Sequence, residues 1–369
     1  MHIFLSLFYF FYFSLVGIYV MFMPAALKGF AYNEFEVGIV YAVAPLMRFL
    51  LPFLFKYYFR LTAKIYLLAL LFTFVASLLF LTTVNHFYFH LLSNALLGAS
   101  MGITLPYVET IALQRLSKKM YGKIRLWGSV GFILIALWLG KVDASGIETI
   151  YYLGVTAFFT WVFGYFVLQF DEPTNTQEEN NDKGFSLQRY WAFWLSIFLM
   201  QVAFGGFYTF FTIYETEQGL SKEVISYLWS FAVICEIIML YFQGSLLQRN
   251  LLTILKVATG VTAFRWLLLY LYPSSLELTF FSQSLHAISF ALYHTAAISY
   301  VFLLYTQKRL AQQFFLGISF GLGGGIGSLV AGYLYGEYLF LIEAIITLAA
   351  LAMLMIHTRR KKYISSIKT

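Results

Sequence analysis

Twelve long, unbroken apolar runs are the feature that most limits how this chain can fold. Each is close to the ~20 residues that an α-helix needs to cross the hydrocarbon core of a bilayer. Transmembrane β-strands would appear instead as short segments of alternating polarity. We therefore predict an all-α polytopic membrane protein with 12 transmembrane helices, at residues 4–27, 36–58, 64–83, 87–113, 124–141, 148–170, 190–214, 223–247, 251–272, 277–305, 311–335 and 338–357.

The composition agrees with burial in a membrane. Hydrophobic residues make up 61% of the 369 residues and charged residues 11%, whereas soluble domains are roughly 45–50% apolar and about 25% charged. A water-soluble or disordered chain would need far more polar surface. The single cysteine, Cys235, lies inside an apolar run and can form no disulfide within the chain.

The basic residues predict the orientation of the spans. If the N-terminus is inside, 19 of the 24 Lys and Arg residues face the cytoplasm, and Lys28, Lys141 and Lys222 face the outside. The remaining two lie within spans. This bias predicts a membrane protein with both termini in the cytoplasm. The net charge of +7 then serves insertion and contact with lipid headgroups, so no nucleic-acid partner is expected.

One polar segment divides the chain. Residues 171–189 are too polar and too short to fold alone, which predicts a flexible cytoplasmic linker. It separates an N-terminal six-helix bundle at 1–170 from a C-terminal six-helix bundle at 190–357, and residues 358–369 form a basic cytoplasmic tail. A shift of 188 residues brings the two halves into register. We therefore predict a repeat, with a site between the two bundles near the middle of the bilayer.

Three charged residues lie near mid-bilayer, where charge is costly and marks a functional candidate. Arg48 in the second span and Glu236 in the eighth occupy equal depth and matching repeat positions, and Arg265 is central in the ninth. Glu236 is a candidate for a coupling proton, and the two arginines are candidate partners of an anionic substrate. The alternative is structural, with Arg48 neutralising Glu236 or Glu343 without touching a substrate.

Two histidines and a further glutamate are weaker candidates. His294 is central in the tenth span. Because imidazole as a side-chain type changes charge near the working pH, we treat His294 as a second candidate for the proton. His286 lies eight residues nearer the outside and is either a substrate contact or a hydrogen-bonded packing residue. Glu109, near the cytoplasmic end of the fourth span, is either a substrate contact or the ion-pair partner of Arg115 or Arg125.

Aromatic residues reach 21% of the chain. Tyr9 and Tyr12 lie in an aromatic stretch of the first span, where they either face lipid or line a cavity that stacks a ring-bearing substrate. Asn94, in the fourth span, suits a solute with hydroxyl groups. The sequence has no Walker-type loop, nucleophile elbow or zinc-ligand spacing, so we expect no enzyme, no cofactor and no metal site.

The block YGKIRLWGSV at 121–130 closely resembles a block of the bacterial phenylpropionate permease group within the major facilitator superfamily. The likeness runs over essentially the whole chain, through 47–49, 106–109, 226–236, 264–266 and 285–294. This group is also similar to the lactose permease type of proton symporter. Glu236, Arg265 and His294 look like that type's carboxylate, arginine and histidine in helices eight, nine and ten, although its tenth-helix carboxylate is missing here.

The resemblance implies the major facilitator fold and a secondary active transporter. Its expected activity is proton symport that imports a small organic solute by alternating access, with an aromatic acid of the phenylpropionate type as the first substrate class. A sugar or a nucleoside is the alternative solute. A non-transporting membrane receptor on the same scaffold is the alternative class. The expected partners are the small-molecule substrate, protons and lipid, with the protein acting as a monomer.

Overall fold

The computed structural model describes residues 1–57, 61–144, 146–171 and 186–367. Within these ranges every regular element is a helix, and twelve helices are long and apolar enough to cross a membrane. The prediction of an all-α protein with 12 spans is confirmed. Most of the predicted linker at 171–189 lies outside the described residues.

The six spans of the N-terminal half follow the predicted apolar runs to within a few residues. They are α1 (His2–Gly29), α2 (Glu34–Phe55), α3 (Ala63–Thr83), α4 (Phe87–Arg115), α5 (Met120–Lys141) and α6 (Ile147–Phe170). Hydroxyl side chains cap two of these helices, because the Thr62 Oγ1 accepts the backbone N–H of Ile65 and the Ser117 Oγ accepts that of Met120.

The six spans of the C-terminal half are α7 (Gln188–Glu217), α8 (Lys222–Phe242), α9 (Leu251–Leu271), α10 (Leu276–Leu304), α11 (Leu310–Tyr333) and α12 (Leu339–Arg360). The eighth span ends at Phe242 and not at 247, because a run of polar residues and glycine forms turns there. Its first member, Gln243, donates from Nε2 to the Thr295 hydroxyl at 3.2 Å. The last helix continues to Ile367, so the predicted basic tail begins as an extension of α12.

Four of the described spans are interrupted within their length. A π-helical turn interrupts α1 at Ile18–Phe22, α10 at Ala287–Leu292 and α11 at Gly317–Gly323. The seventh span is broken at 203–204 into Trp191–Val202 and Gly205–Glu217. Because π-turns occur frequently at functional sites, we expect functional side chains to lie beside these interruptions.

The break in α7 coincides with a very close approach to α11. A Cβ added to Gly205 would lie 2.1 Å from the carbonyl carbon of Gly327, so any side chain at this point would push the two helices apart. Small residues are what allow helix backbones to approach this closely in a membrane. The glycine pair therefore sets where α7 and α11 cross.

Packing divides the chain into two compact units. The first unit comprises Met1–Glu179 and Tyr208–Ser230, and the second comprises Asn180–Phe207 and Phe231–Thr369. These units describe contacts in one conformation and not the sequence repeat, so the predicted bundles at 1–170 and 190–357 stay a prediction.

Each unit has its own set of packed helices. In the first unit, α1 packs against α5 and α6, and α4 packs against α2 and α3. In the second unit, α12 packs against α9 and the first half of α7, and α9 packs against α10. The functional side chains below are held by these helix pairs.

Candidate functional site

The guanidinium of Arg265 is the centre of a polar cluster in the second unit. Arg265 is 0% exposed on α9, and three side chains of α10 surround its guanidinium. Nη2 donates to the Gln283 Oε1 at 3.0 Å, and Nη1 lies 2.9 Å from the His286 Nδ1 and 3.3 Å from the Ser289 hydroxyl. Residues spaced by three lie on one face of a helix, so α10 presents all three groups to Arg265 together.

Aromatic rings complete the surroundings of Arg265. Its guanidinium carbon lies 4.2 Å from the ring centroid of Phe207 and 4.6 Å from that of Trp266. Cations over ring faces are attracted by the ring quadrupole, and the attraction grows when water is excluded. Arg265 is thus stabilised as a buried cation.

His286 connects this cation to Glu236 of α8. A guanidinium can only donate hydrogen bonds, so the His286 Nδ1 must accept, and the ring is neutral with its hydrogen on Nε2. That Nε2 lies 3.9 Å from the Glu236 Oε2. The Glu236 side chain is 23% exposed, whereas that of His286 is 6% exposed. Arg265, His286 and Glu236 therefore form a line from a buried cation to a partly exposed carboxylate, which we call the Arg–His–Glu relay.

Glu343 of α12 lies at the break in α7. Its buried carboxylate faces the backbone N–H groups of Gly206 and Phe207, and the Arg265 charge also acts on it. A Cβ added to Gly206 would lie 2.2 Å from the Glu343 Oε1. These N–H groups begin the second half of α7, and a helix N-terminus favours an anion. The Glu343 carboxylate therefore lies beside the start of the second half of α7, where neither of its oxygens makes a hydrogen bond with the described residues.

His294 lies in different surroundings from His286. Ring centroids of Phe315 and Phe320 lie 5.3 Å and 5.4 Å from its own, and Phe290 stacks over it at 6.3 Å. These residues line a small cavity of about 10 Å³, room for about one water molecule. In the described residues, then, the histidine beside Glu236 is His286, and His294 faces aromatic rings.

Arg48, on α2 of the first unit, contrasts with Arg265. Its side chain is exposed, and it lies against Gly102 of α4, where an added Cβ would be 2.8 Å from the Arg48 Cγ. Its charge acts on Tyr12 and Tyr19 of α1. Among the described residues Arg48 makes neither a hydrogen bond nor an ion pair. It is a mid-span cation without a polar partner among the described residues.

The neighbouring polar groups of the first unit are engaged with one another. The Tyr12 hydroxyl donates to the Met101 carbonyl at 3.2 Å, and the Tyr19 hydroxyl donates to the Asn94 Oδ1 at 2.8 Å. The Asn94 amide nitrogen in turn donates to the carbonyl of Val40. Asn94 is fully buried, so these contacts hold α1, α2 and α4 together.

Two residues of the YGKIR block bind the carboxylate of Glu109. Arg125 donates from Nε to the Glu109 Oε1 at 3.0 Å, and the Tyr121 hydroxyl donates to Oε2 at 2.8 Å. Tyr121 and Arg125 are one helical turn apart on α5, so both reach the same carboxylate of α4. The Arg125 guanidinium also lies over the rings of Tyr9 and Phe13, at 5.2 Å and 4.0 Å. Of the two alternatives for Glu109, this geometry favours the ion pair with Arg125.

The structure thus brings three sequence candidates together, Glu236, His286 and Arg265. Sequence reasoning missed Gln283 and Ser289, although a signal was present. Both lie three residues from His286 in an apolar span, and polar residues at that spacing mark one helix face. No group of three or more His, Cys, Asp or Glu side chains suited to a metal occurs in the described part of the chain.

We expect Arg265→Ala to lower the stability of the folded protein by about 3–5 kcal/mol, because it leaves buried polar partners unsatisfied. Thermal unfolding in detergent measures this effect. Since Glu236 reaches Arg265 through His286, the Glu236→Gln/Arg265→Ala double variant should be as unstable as the single variant. Restored stability in the double variant would show that Arg265 is only the counter-ion of Glu236.

The comparison with known proteins identifies the family. Residues 2–346 match the family described as MFS_1 like family. The chain belongs to this family of the major facilitator superfamily. The family assignment confirms the resemblance seen in the sequence.

Two curated relatives of this MFS_1-like chain are transporters. It is 26% identical over 369 residues to the probable 3-phenylpropionic acid transporter of Escherichia coli (strain K12), covering 94% of this chain and 95% of the relative. It is 25% identical over 256 residues to an uncharacterized transporter of Bacillus subtilis (strain 168), covering 66% of this chain and 63% of the relative. The MFS_1-like chain is therefore a membrane transporter and not an enzyme.

Solved structures show the same fold. The crystal structure of the nucleoside transporter NupG matches with a TM-score of 0.78 and 16% identity, covering 97% of this chain and 98% of that one. The POT family transporter PepTSo matches with a TM-score of 0.74 and 10% identity, covering 98% and 97%. The major facilitator fold of the MFS_1-like chain is thus confirmed.

Proposed function

We propose that this transporter is a proton symporter that imports a small aromatic carboxylate by alternating access. It acts as a monomer in a bacterial-type inner membrane, with both termini in the cytoplasm. The different surroundings of Arg48 and Arg265 are the observation that carries the proposal, because they separate a cation for the substrate from a cation for the proton site.

Arg48 supports a carboxylate as the substrate group. A cation within a span is costly unless it has an anionic partner, and Arg48 has none among the residues described. Arginine binds carboxylates through two parallel hydrogen bonds. Tyr12 and Asn94, which suit the hydroxyls of a sugar or nucleoside, are instead engaged within the unit. The described side chains therefore favour an acid.

The Arg–His–Glu relay supports proton coupling. A proton on His286 would turn its Nδ1 into a donor facing the Arg265 guanidinium, so the ring is a poor place to keep the proton. Glu236 can take the proton from solvent and lose its attraction to the His286 Nε2. Protonation thus changes how α8 and α10 interact, which is what coupling to a conformational change requires.

Uptake by purified protein in proteoliposomes tests the proposal. An inward proton gradient should drive accumulation of radiolabelled 3-phenylpropionate, and a protonophore should abolish the accumulation. Excess unlabelled uridine or lactose should leave uptake unchanged. Uptake that ignores the proton gradient would overturn symport, and competition by uridine or lactose would favour the alternative solutes.

We expect both termini and the 171–189 segment to be cytoplasmic, because of the strong basic bias. Single cysteines at Asn180 and Lys28, introduced into a Cys235→Ser background, can be labelled with an impermeant maleimide in intact cells. The cysteine at position 28 should react and that at 180 should not. Reaction at 180 from the outside would contradict the topology.

A further inference from the structure

Glu215 is a buried acid outside the Arg–His–Glu relay. It lies near the predicted outer end of α7, just past the predicted apolar run at 190–214. It belongs to Tyr208–Ser230, which packs within the first unit. This segment comprises most of the second half of α7, the turn after it and the first part of α8, and we call it the outer hairpin.

The carboxyl group of Glu215 is isolated from partners. Its side chain is 0% exposed, and neither oxygen has a hydrogen-bond partner among the described residues. The titratable group that interacts with it is Tyr214, its neighbour in the chain. No charged side chain of the described part acts on it. An unpaired carboxylate buried in this way is strongly disfavoured, so this packing favours the neutral acid.

Contacts with the end of α5 and the residues that follow it hold the outer hairpin in place. The Lys222 Nζ lies 3.1 Å from the Asp143 Oδ1 and donates to the Ala144 carbonyl at 3.3 Å. Gly140 of α5 lies against Ser226, because an added Cβ would be 2.4 Å from the Ser226 hydroxyl oxygen. Lys222, the cation of this turn, is already paired with Asp143.

The two halves of the hairpin are also joined to each other. The Trp229 Nε1 donates to the Thr212 hydroxyl at 3.1 Å, and both residues are buried. Thr212 precedes Glu215 by three residues and therefore lies on a neighbouring part of the same helix face. A shift of the hairpin would move Thr212, Glu215 and Trp229 together.

From these contacts we propose that Glu215 is a gating protonation site of the transport cycle. Its carboxylate takes a proton from the outer solution, and only the resulting neutral acid is buried when the outer hairpin packs as seen here. The same proton returns to the outer solution when the hairpin separates and water reaches the group. This role rests on the proposed proton coupling, in which Glu236 holds the transported proton. Glu215 then prevents packing of the outer hairpin when the outside proton concentration is low.

The sign of the pH effect follows from linkage. The packed form holds one proton more than the separated form, so a rising outside pH favours separation of the hairpin. Replacing Glu215 by Gln keeps the shape of the protonated acid and removes the titration. Packing should then be independent of pH.

Cysteine labelling tests this without any transported solute. Ser226→Cys, buried under Gly140, is placed in the Cys235→Ser background and labelled from outside with an impermeant maleimide. Its rate is divided by that of Ser221→Cys, an exposed reference that corrects for thiol reactivity. Between about pH 5.5 and about pH 8.5 this ratio should rise at least about threefold with Glu215 present and stay low and flat in Glu215→Gln.

The matched control is Glu217→Gln, which removes an exposed carboxylate two residues away and should keep the native pH response. A pH response that persists in Glu215→Gln would overturn the proposal, as would its loss in Glu217→Gln. Since labelling needs no solute, a failure of proton-driven uptake in proteoliposomes would be recognised separately.

Infrared spectroscopy gives a second readout on the purified protein. At neutral pH the absorption of protonated carboxyl groups should lose one component in Glu215→Gln, whereas Glu217→Gln should leave it unchanged. An unchanged spectrum in Glu215→Gln would show that the group is ionised and the proposal wrong. This measurement also stands if the cysteine at 226 disturbs packing.

Discussion

Replacing Arg48 by Gln should raise the 3-phenylpropionate concentration for half-maximal uptake by about 10- to 100-fold. The loss corresponds to one charge-assisted hydrogen bond to the carboxylate, about 1.5–3 kcal/mol. Because Arg48 is exposed and makes no hydrogen bond or ion pair with the described residues, its removal should leave thermal stability nearly unchanged. Proteoliposome uptake over a range of substrate concentrations measures the effect.

Two controls separate recognition from a general loss of charge. Arg359→Gln removes an exposed guanidinium near the end of α12 and should leave uptake unchanged. The uncharged amide of 3-phenylpropionate should inhibit uptake only weakly in the native protein. Its inhibition constant should be the same in Arg48→Gln. If Arg48→Gln kept the native substrate concentration for half-maximal uptake, Arg48 would not belong to the substrate site.

Replacing Glu236 by Gln should abolish accumulation driven by a proton gradient while leaving exchange of internal for external substrate measurable. Glutamine keeps the size of the side chain next to His286 but cannot take up or release a proton. Accumulation needs that proton, whereas exchange can proceed with the site permanently neutral. Gradient-driven uptake and counterflow in the same proteoliposomes measure the two activities.

Glu223→Gln provides the matched control for this variant. Glu223 lies on the same helix, is exposed, and accepts a hydrogen bond from the Tyr227 hydroxyl at 2.6 Å. Its replacement should leave both activities near native. Full accumulation in Glu236→Gln would assign the coupling proton to another group, with His294 the remaining sequence candidate.

The positions of the spans could be predicted from sequence because they follow from local chemistry. A run of about 20 apolar residues is long enough to cross a bilayer whatever surrounds it, and a backbone in hydrocarbon must satisfy its hydrogen bonds within a helix. The spans at α3 and α9 accordingly match the predicted runs to within one residue. The eighth span was predicted too long at its end because turns replace the helix after Phe242.

The roles of the polar residues within the spans were harder to predict. Mid-bilayer depth marked Arg48 and Arg265 alike, since depth depends only on position in the span. What distinguishes them is the neighbouring helix. It offers Gln283, His286 and Ser289 to Arg265, whereas Gly102 of α4 lies against the Arg48 side chain. Even for two consecutive helices such as α9 and α10, which side chains face each other depends on how the helices pack, and depth in a span does not determine that packing.

The sequence by itself determined the helical membrane fold, the number of spans and the family, because hydrophobic length and the YGKIR block are local properties of the chain. The packing of the helices was needed to see that His286 and not His294 lies beside Glu236 and that Glu109 pairs with Arg125. It also showed that Glu215 is buried without a hydrogen-bond partner among the described residues. The physical reason is that burial and charge compensation depend on which helices pack together. Because most residues of this chain are apolar, few polar residues are present from which that packing could be predicted.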